Sequence, residues 1–348
     1  MEAPILAQRG RASIDFQAGI NKASGMLHGA MEAEMAARGI NAQTMPEDID
    51  ERHALVDERL GDWPAYKVRQ LLGEWASKNH GLMSRQAFEE IQDEIVPMLK
   101  ALDDGPTTLE YGNGAPAPSY FSKVWFHRTT GGWDASDYNG YVHGELVHKM
   151  LVAKAYPGDI FAQRRMAAGQ APRRDYKRIL DMGASSCHYT LPLAQTFPDS
   201  EIWGIDLSPR MLEHARRVAN ENGMAWKLKV CPAEDTGLEA GSFGLVTSFI
   251  IFHELPPRII RAILEEAYRL LEPGGDLVMT DVPRYQDLDR LSVWRYDWLA
   301  KWGGEPYWRA SASMDLVGTA REVGFEAVEG FTQPPVHNYY VLRARKPA

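Results

Sequence analysis

His253 and Glu254 stand side by side in "VTSFIIFHELP", where an apolar run ends. An imidazole beside a carboxylate can take a proton from a hydroxyl or a thiol. A histidine that closes a strand can equally bond only the backbone, and the sequence leaves both roles open. Further chemistry follows apolar runs upstream: Asp181 and Gly183 in "RILDMG", and Asp206 in "EIWGID". A carboxylate roughly 20 residues past a glycine turn can accept both hydroxyls of a ribose. The same side chain can cap the helix that begins at Pro209. The turn itself reads Gly183, Ala184, Ser185, Ser186, Cys187, His188. Close approach to a pyrophosphate asks for several glycines. With one glycine, this turn suits an adenosine-type ligand that lacks such a group.

These residues depend on the elements that carry them. From Arg178 onward, "RILDM", "EIWGID", "AWKLKVC", "GLVTSFIIF" and "GDLVMTD" read as strands, separated by helical patterns such as "PRMLEHARRVANENG" and "PPRIIRAILEEAYRLL". That alternation predicts an α/β, doubly wound sheet buried on both faces. "MDLVGTAREVGF", "EAVEGF" and "NYYVLRARK" then predict a helix, a strand and a last strand that returns antiparallel. In such a sheet the ligand sits outside the carboxyl ends of the strands where the winding reverses, which brings Asp181, Gly183 and Asp206 together.

The first hundred residues read as helices. Apolar spacing predicts one from Pro64, capped by Asp62 and stopped by Gly81, and a second that Ser84 caps and Pro97 shortens. Asp103 to Ser119 is dense in Gly and Pro and reads as a long connection. A helix from Tyr141 to Tyr156 and a polar loop from Pro157 to Arg174 lead to the sheet. The expected division is a mainly helical region over residues 1–160 and a sheet domain over 161–348. The N-terminal helices would cover a pocket, pair two copies of the chain as a homodimer, or both. In "RLSVWRYDWLAKWGGEPYW", Trp294, Trp298 and Trp302 share one helical face. That face can pack on the N-terminal helices or a second subunit, or wall an aromatic pocket. His127, His143 and His337 are further imidazoles, expected to be structural or at the surface.

Composition narrows the classes. The 348 residues, 45% of them hydrophobic, suffice for a sizeable core. Lys and Arg number 38 against 47 Asp and Glu, a net charge of −9, which argues against nucleic acid as a partner. Cys187 and Cys231 fit neither a disulfide framework nor a metal finger, so reduced thiols and no metal are expected. No apolar run has signal-peptide character at the start or the ~20-residue length of a membrane span. The expected setting is the cytoplasm, without a membrane partner.

Four stretches in order, "LDMGASSCHYT", "IWGIDLSPRML", "VCPAEDTGLEAGSFGLVTSFIIFHELP" and "RLLEPGGDLVMTD", resemble the successive motifs of class I S-adenosylmethionine-dependent methyltransferases. Their style is that of the branch with the ubiquinone and menaquinone biosynthesis methyltransferases, and the resemblance covers Arg178 to about Asp281. It implies a Rossmann-like, seven-stranded sheet with an antiparallel last strand, and S-adenosyl-L-methionine as cofactor. Asp181, Gly183, Ala184 and Ser185 would meet its methionine end and Asp206 its ribose. Leu207, Ala233, Glu234 and Phe249 would complete the cofactor site. Pro232 stands where the family commonly has an acid for the adenine amino group, leaving Glu234 or Asp235 as substitutes. Gly244 stands where the branch usually has Asp. His253 and Glu254 would be the catalytic pair, acting on a small-molecule methyl acceptor at an O, N, S or C atom. Two other readings remain: a cofactor-binding, non-catalytic scaffold that dimerises through its helices, and a nicotinamide-dependent oxidoreductase, against which the missing glycines count.

Overall fold

Apolar runs buried on both faces make the centre of the sheet in the computed structural model, which describes residues 4–112, 114, 116–155, 159–333 and 339–348. His337 lies outside the described residues. In chain order the strands are β1 (Thr108–Glu110), β2 (Arg178–Met182), β3 (Glu201–Asp206), β4 (Lys227–Val230), β5 (Phe243–Phe249), β6 (Leu271–Asp281), β7 (Glu326–Gln333) and β8 (Tyr339–Arg345). They lie in the order β1-β4-β3-β2-β5-β6-β8-β7. β2 pairs in parallel with both β3 and β5, so the winding reverses there and opens a crevice at the strand ends. β8 runs antiparallel to both β6 and β7. The doubly wound sheet with its antiparallel last strand is therefore as the sequence implies.

The strand count differs, eight rather than seven. The addition is β1, parallel to β4, inside the stretch that reads as a connection. Three residues are too few to show a period. What fixes them is tertiary: Thr107 donates its N–H to Asn220 and its hydroxyl to the Met224 carbonyl, and Asp103 holds Arg217 at 2.7 Å. The sheet thus draws one strand from the region expected to be helical.

The N-terminal helices are α1 (Gln8–Ala37), α2 (Ile49–Leu60), α3 (Pro64–Glu89) and α4 (Gln92–Ala101). α1 and α3 are antiparallel: the Gly10 N–H reaches Glu90 at 2.9 Å, and the Gln17 amide reaches the Ala76 carbonyl at 3.2 Å. α3 runs on through Gly81 and Ser84, where two helices are expected. Gly81 serves close approach instead of termination, since an added Cβ would lie 2.8 Å from Thr129 Cγ2. Asp62 pairs with Arg38 at 2.6 Å and leaves the capping position to Trp63. The expected helix after Tyr141 is π-helical over Val142–Val152. The expected loop beyond it contains the helix Ile160–Ala168, capped by Asp159. Among the described residues no helix is long and apolar enough to cross a membrane.

The helix Arg290–Gly303 joins the two regions. Trp294 and Trp298, each 1% exposed, pack with Met31, Met35, Val56, Leu60 and Tyr66. The tryptophan face is thus mainly a packing face against the N-terminal helices, and Trp302 continues it into the cavity described below. Trp298→Ala is expected to lower stability by about 3–5 kcal/mol, the cost of an emptied aromatic site. Denaturant unfolding checks this, and a loss under about 1 kcal/mol would mean that this core does not hold the helices to the sheet domain.

Candidate active site

A cavity of about 990 Å³ lies at the carboxyl ends of β2, β3 and β5, roofed by α1, α3 and the helix Arg290–Gly303. That size is at the upper end for small-molecule sites. Its floor is the turn after β2. Gly183 has φ +79°, and a Cβ there would lie 2.6 Å from Ile251 Cδ1. Ser185 and Cys187, where glycines are missing, take the left-handed conformation anyway, with φ 48° and 67°. Each stores on the order of 1 kcal/mol or more of strain, and hydrogen bonds hold it. The N–H groups of Gly183 and Ala184 both reach the Ile205 carbonyl at 2.9 Å, and the Ser185 N–H reaches Asp206 Oδ2 at 3.0 Å.

Asp206 is not the helix cap; Ser208 caps the helix Pro209–Glu221 by accepting the Met211 N–H. Asp206 Oδ1 accepts the Ser208 N–H at 2.8 Å, and the carboxylate still lines the cavity. Burial raises its pKa to about 6 against these two bonds. Ala184, Ser185, Leu207, Ala233, Glu234 and Phe249 line the cavity as well. Glu234, rather than Asp235, faces it, held by the Tyr120 hydroxyl at 2.6 Å. Asp181 departs from the sequence reading. It is 1% exposed and lies behind the wall, where Oδ2 accepts the Thr190 hydroxyl at 2.7 Å. Burial raises its pKa to about 7. Its Oδ1 has no hydrogen-bond partner among the described residues.

The carboxyl end of β5 carries the second group of residues. Ile250 has φ 61°, a strained value for a β-branched side chain, and its N–H is anchored on the Thr280 carbonyl at 2.8 Å. The chain then turns so that His253 and Glu254 both line the cavity. His253 Nδ1 lies 3.2 Å from Asp281 Oδ1, and its ring meets Trp308 edge-on with centroids 5.2 Å apart. Carboxylates and imidazoles alternate from there: Glu254 Oε1 lies 4.0 Å from His253 Nε2 and 3.6 Å from His127 Nε2. His127 Nδ1 in turn lies 2.8 Å from Glu305 Oε1. Burial disfavours the His253 cation, but Asp281 beside it prevails and raises the pKa to about 9. Burial likewise opposes His127, and Glu305 and Glu254 lift it well above the ordinary value.

His143 also lines the cavity, edge-on to Trp133 and to His148, which meets His188 in turn. Burial lowers His143 to about 3 and holds His148 and His188 well below the ordinary value, with the nearby Arg164 cation acting the same way, so these three imidazoles are neutral. Tyr120, His148, His188, Glu305 and Trp308 belong to the site without a signal in the sequence. His188 follows the Gly183 turn directly, whereas the other four sit far from the strand-end motifs and arrive only by folding.

Comparisons with known proteins match the part of the chain that carries this site. Residues 179–275 match the methyltransferase domain family. That segment holds β2 to β5, the turn, Asp206, His253 and Glu254. A demethylmenaquinone methyltransferase of Thermus thermophilus is 33% identical over 120 residues, 34% of this chain and 54% of that protein. A carboxy-S-adenosyl-L-methionine synthase of Chromohalobacter salexigens is 29% identical over 129 residues, 33% of this chain and 48% of that protein. A ubiquinone biosynthesis O-methyltransferase of Thiobacillus denitrificans is 28% identical over 174 residues, 48% of this chain and 73% of that protein. The chain spans about half the length of the first two relatives. The segment is thus similar in sequence to methyltransferases of menaquinone and ubiquinone biosynthesis and, to a comparable degree, to a carboxy-S-adenosyl-L-methionine synthase.

The His253 and Asp281 pair yields a prediction with a definite sign. A histidine raised from about 6.5 to about 9 on folding adds stability that is fully present below the lower value and lost as pH rises through the upper one. Asp281→Asn removes the nearest opposite charge while Glu305 and Glu254 remain, so His253 should titrate well below its wild-type value. Histidine-resolved NMR titration measures both values, and a wild-type midpoint near 6.5 would contradict the pairing.

Proposed function

We propose that this chain transfers a methyl group from S-adenosyl-L-methionine to a small-molecule acceptor. The observation that carries the reading is that the Gly183 turn, Asp206 and the His253–Glu254 end of β5 open into one roofed cavity. The matched domain, and relatives named as methyltransferases, support it. The residues present fit the cofactor. Asp206 keeps lone pairs for the ribose hydroxyls after its two backbone bonds. Glu234 offers an acceptor to the adenine amino group, and Phe249 a flat face. Gly183, Ala184 and Ser185 supply the backbone beside the methionine end.

When bound, S-adenosylmethionine supplies an electrophilic methyl carbon, whose bond to sulfur breaks with the electron pair left on sulfur. The chain's own residues position the acceptor lone pair, exclude water and receive the acceptor's proton. The roof of α1, α3 and Arg290–Gly303 performs the exclusion. His253, with Asp281 behind it and Glu254 beside it, is the proton acceptor for a hydroxyl or thiol. At neutral pH it must first lose its own proton, and a sulfonium in the same cavity favours that loss electrostatically. Both cysteines are free and buried, which supports work in a reducing cytoplasm. Phe16, Met26, Val68 and Leu71, exposed on α1 and α3, support pairing of two copies.

Asp206→Ala is expected to weaken S-adenosylhomocysteine binding by roughly 1.5–3 kcal/mol, the scale of charge-assisted hydrogen bonds. Calorimetry on the folded variant checks this, and unchanged affinity would remove the ribose contact and with it the cofactor reading.

A further inference from the structure

Arg69, on α3, lines the end of the cavity roofed by α1 and α3 and is 8% exposed. Its guanidinium has no hydrogen-bond acceptor and no carboxylate partner among the described residues, and its Nε is fully shielded. The neighbour it does have is the face of Trp298, 5.1 Å from ring centroid to guanidinium carbon. Buried cations are ordinarily paired or hydrogen-bonded. Three other buried arginines, Arg284, Arg52 and Arg217, follow that rule. Arg284 donates to the Val282 and Ser311 carbonyls, Arg52 to the Pro46 and Glu47 carbonyls, and Arg217 to Asp103.

The surroundings of Arg69 are shaped to leave its fork open. A Cβ at Gly73, one turn along α3, would lie 2.9 Å from Arg69 Nη1, so glycine makes the room. Ser24 and Asn21, on α1, line the same end, and neither side chain has a hydrogen bond among the described residues. Burial lowers the Arg69 pKa to about 10, which leaves the group charged at neutral pH. A planar guanidinium with hydroxyl and amide donors beside it matches an anion that offers two oxygens.

We propose that the acceptor molecule carries a carboxylate or phosphate group, bound by Arg69 with Ser24 and Asn21 at this end of the cavity, while its methylated atom lies toward His253. This deepens the methyl-transfer reading and rests on it. The anchor would select among acceptors and fix their orientation, because a neutral analogue leaves the cation buried and unpaired.

The test is calorimetry on the full chain saturated with S-adenosylhomocysteine, titrated with benzoate, inorganic phosphate and neutral benzyl alcohol. At least one anion is expected to bind at a single site, tenfold or more tighter than benzyl alcohol, and the two anion arms tell a carboxylate from a phosphate. Arg69→Gln should weaken that anion at least tenfold, and Arg69→Lys should restore part of the loss. The unfolding midpoint of Arg69→Gln should be equal to or above that of the wild type, whereas a merely structural arginine would lower it. Gly73→Ala crowds the guanidinium while favouring the helix, and weakened anion binding at an unchanged unfolding midpoint reports the loss of the open fork. Absence of binding by both anions, or wild-type affinity in Arg69→Gln, overturns the proposal. If S-adenosylhomocysteine itself does not bind, the cofactor reading fails separately, and the anion titrations are read on the free protein by the same criteria.

Discussion

Two loops meet on one carboxylate. Asp206 accepts the Ser185 N–H with one oxygen and the Ser208 N–H with the other, so the turn after β2 and the start of the helix Pro209–Glu221 are held at a single point. The turn needs that hold. Ser185 and Cys187 lie in a conformation that glycine adopts freely and other residues resist. A backbone path usually secured by glycines is secured here by hydrogen bonds and by packing: Cys187 is 2% exposed and Ala184 3%. Once the path is fixed, the crevice between β2 and β5 has a floor and the remaining residues have a site to complete.

The roof comes from elsewhere in the chain, and its construction is an apolar one. Trp294 and Trp298 fill a core with residues of α1, α2 and α3, so the helix Arg290–Gly303 is bound on one side to the sheet domain and on the other to the N-terminal helices. Polar contacts add register: His53 lies 2.7 Å from Asp297, and Arg295 lies 2.6 Å from Glu32. Beneath this roof, Asp281, His253, Glu254, His127 and Glu305 alternate in charge from the end of β6 to the roof itself. Alternation lets buried charges support one another, which is why both histidines hold protons more tightly than free imidazole. The acceptor's proton therefore meets a preset network, and the state of His253 depends on everything that line contains.

Much of this was legible where short periods and strand-end residues carry the information. The order of strands from Arg178, the placement of Gly183 and Asp206, and the pairing of His253 with Glu254 follow from apolar runs that end in a polar residue. Asp181 misled, because an acid at a strand end reads the same whether it faces the crevice or, as here, Thr190 behind it. β1 was illegible because three residues show no pattern without the edge of β4 to receive them. Gly81 reads as a stop only until Thr129 is seen packed against it. His127 and Glu305 lie far apart in sequence, and nothing local announces that both will reach Glu254 or its partner. Arg69 looks like any surface arginine of an amphipathic helix; only the closure of α1 over α3 buries it.

The central claim is that Asp206, half-buried beside the turn, receives S-adenosylmethionine. Asp206, raised to about 6, is partly protonated near pH 6, and a cationic ligand with ribose hydroxyls to donate favours its ionised form. Titration calorimetry with S-adenosylmethionine near pH 6, repeated in buffers of different ionisation enthalpy, counts the protons exchanged. The account predicts saturable binding at one site with net proton release, and affinity that rises as pH increases toward 7. Binding with proton uptake, or no binding at all, would contradict it.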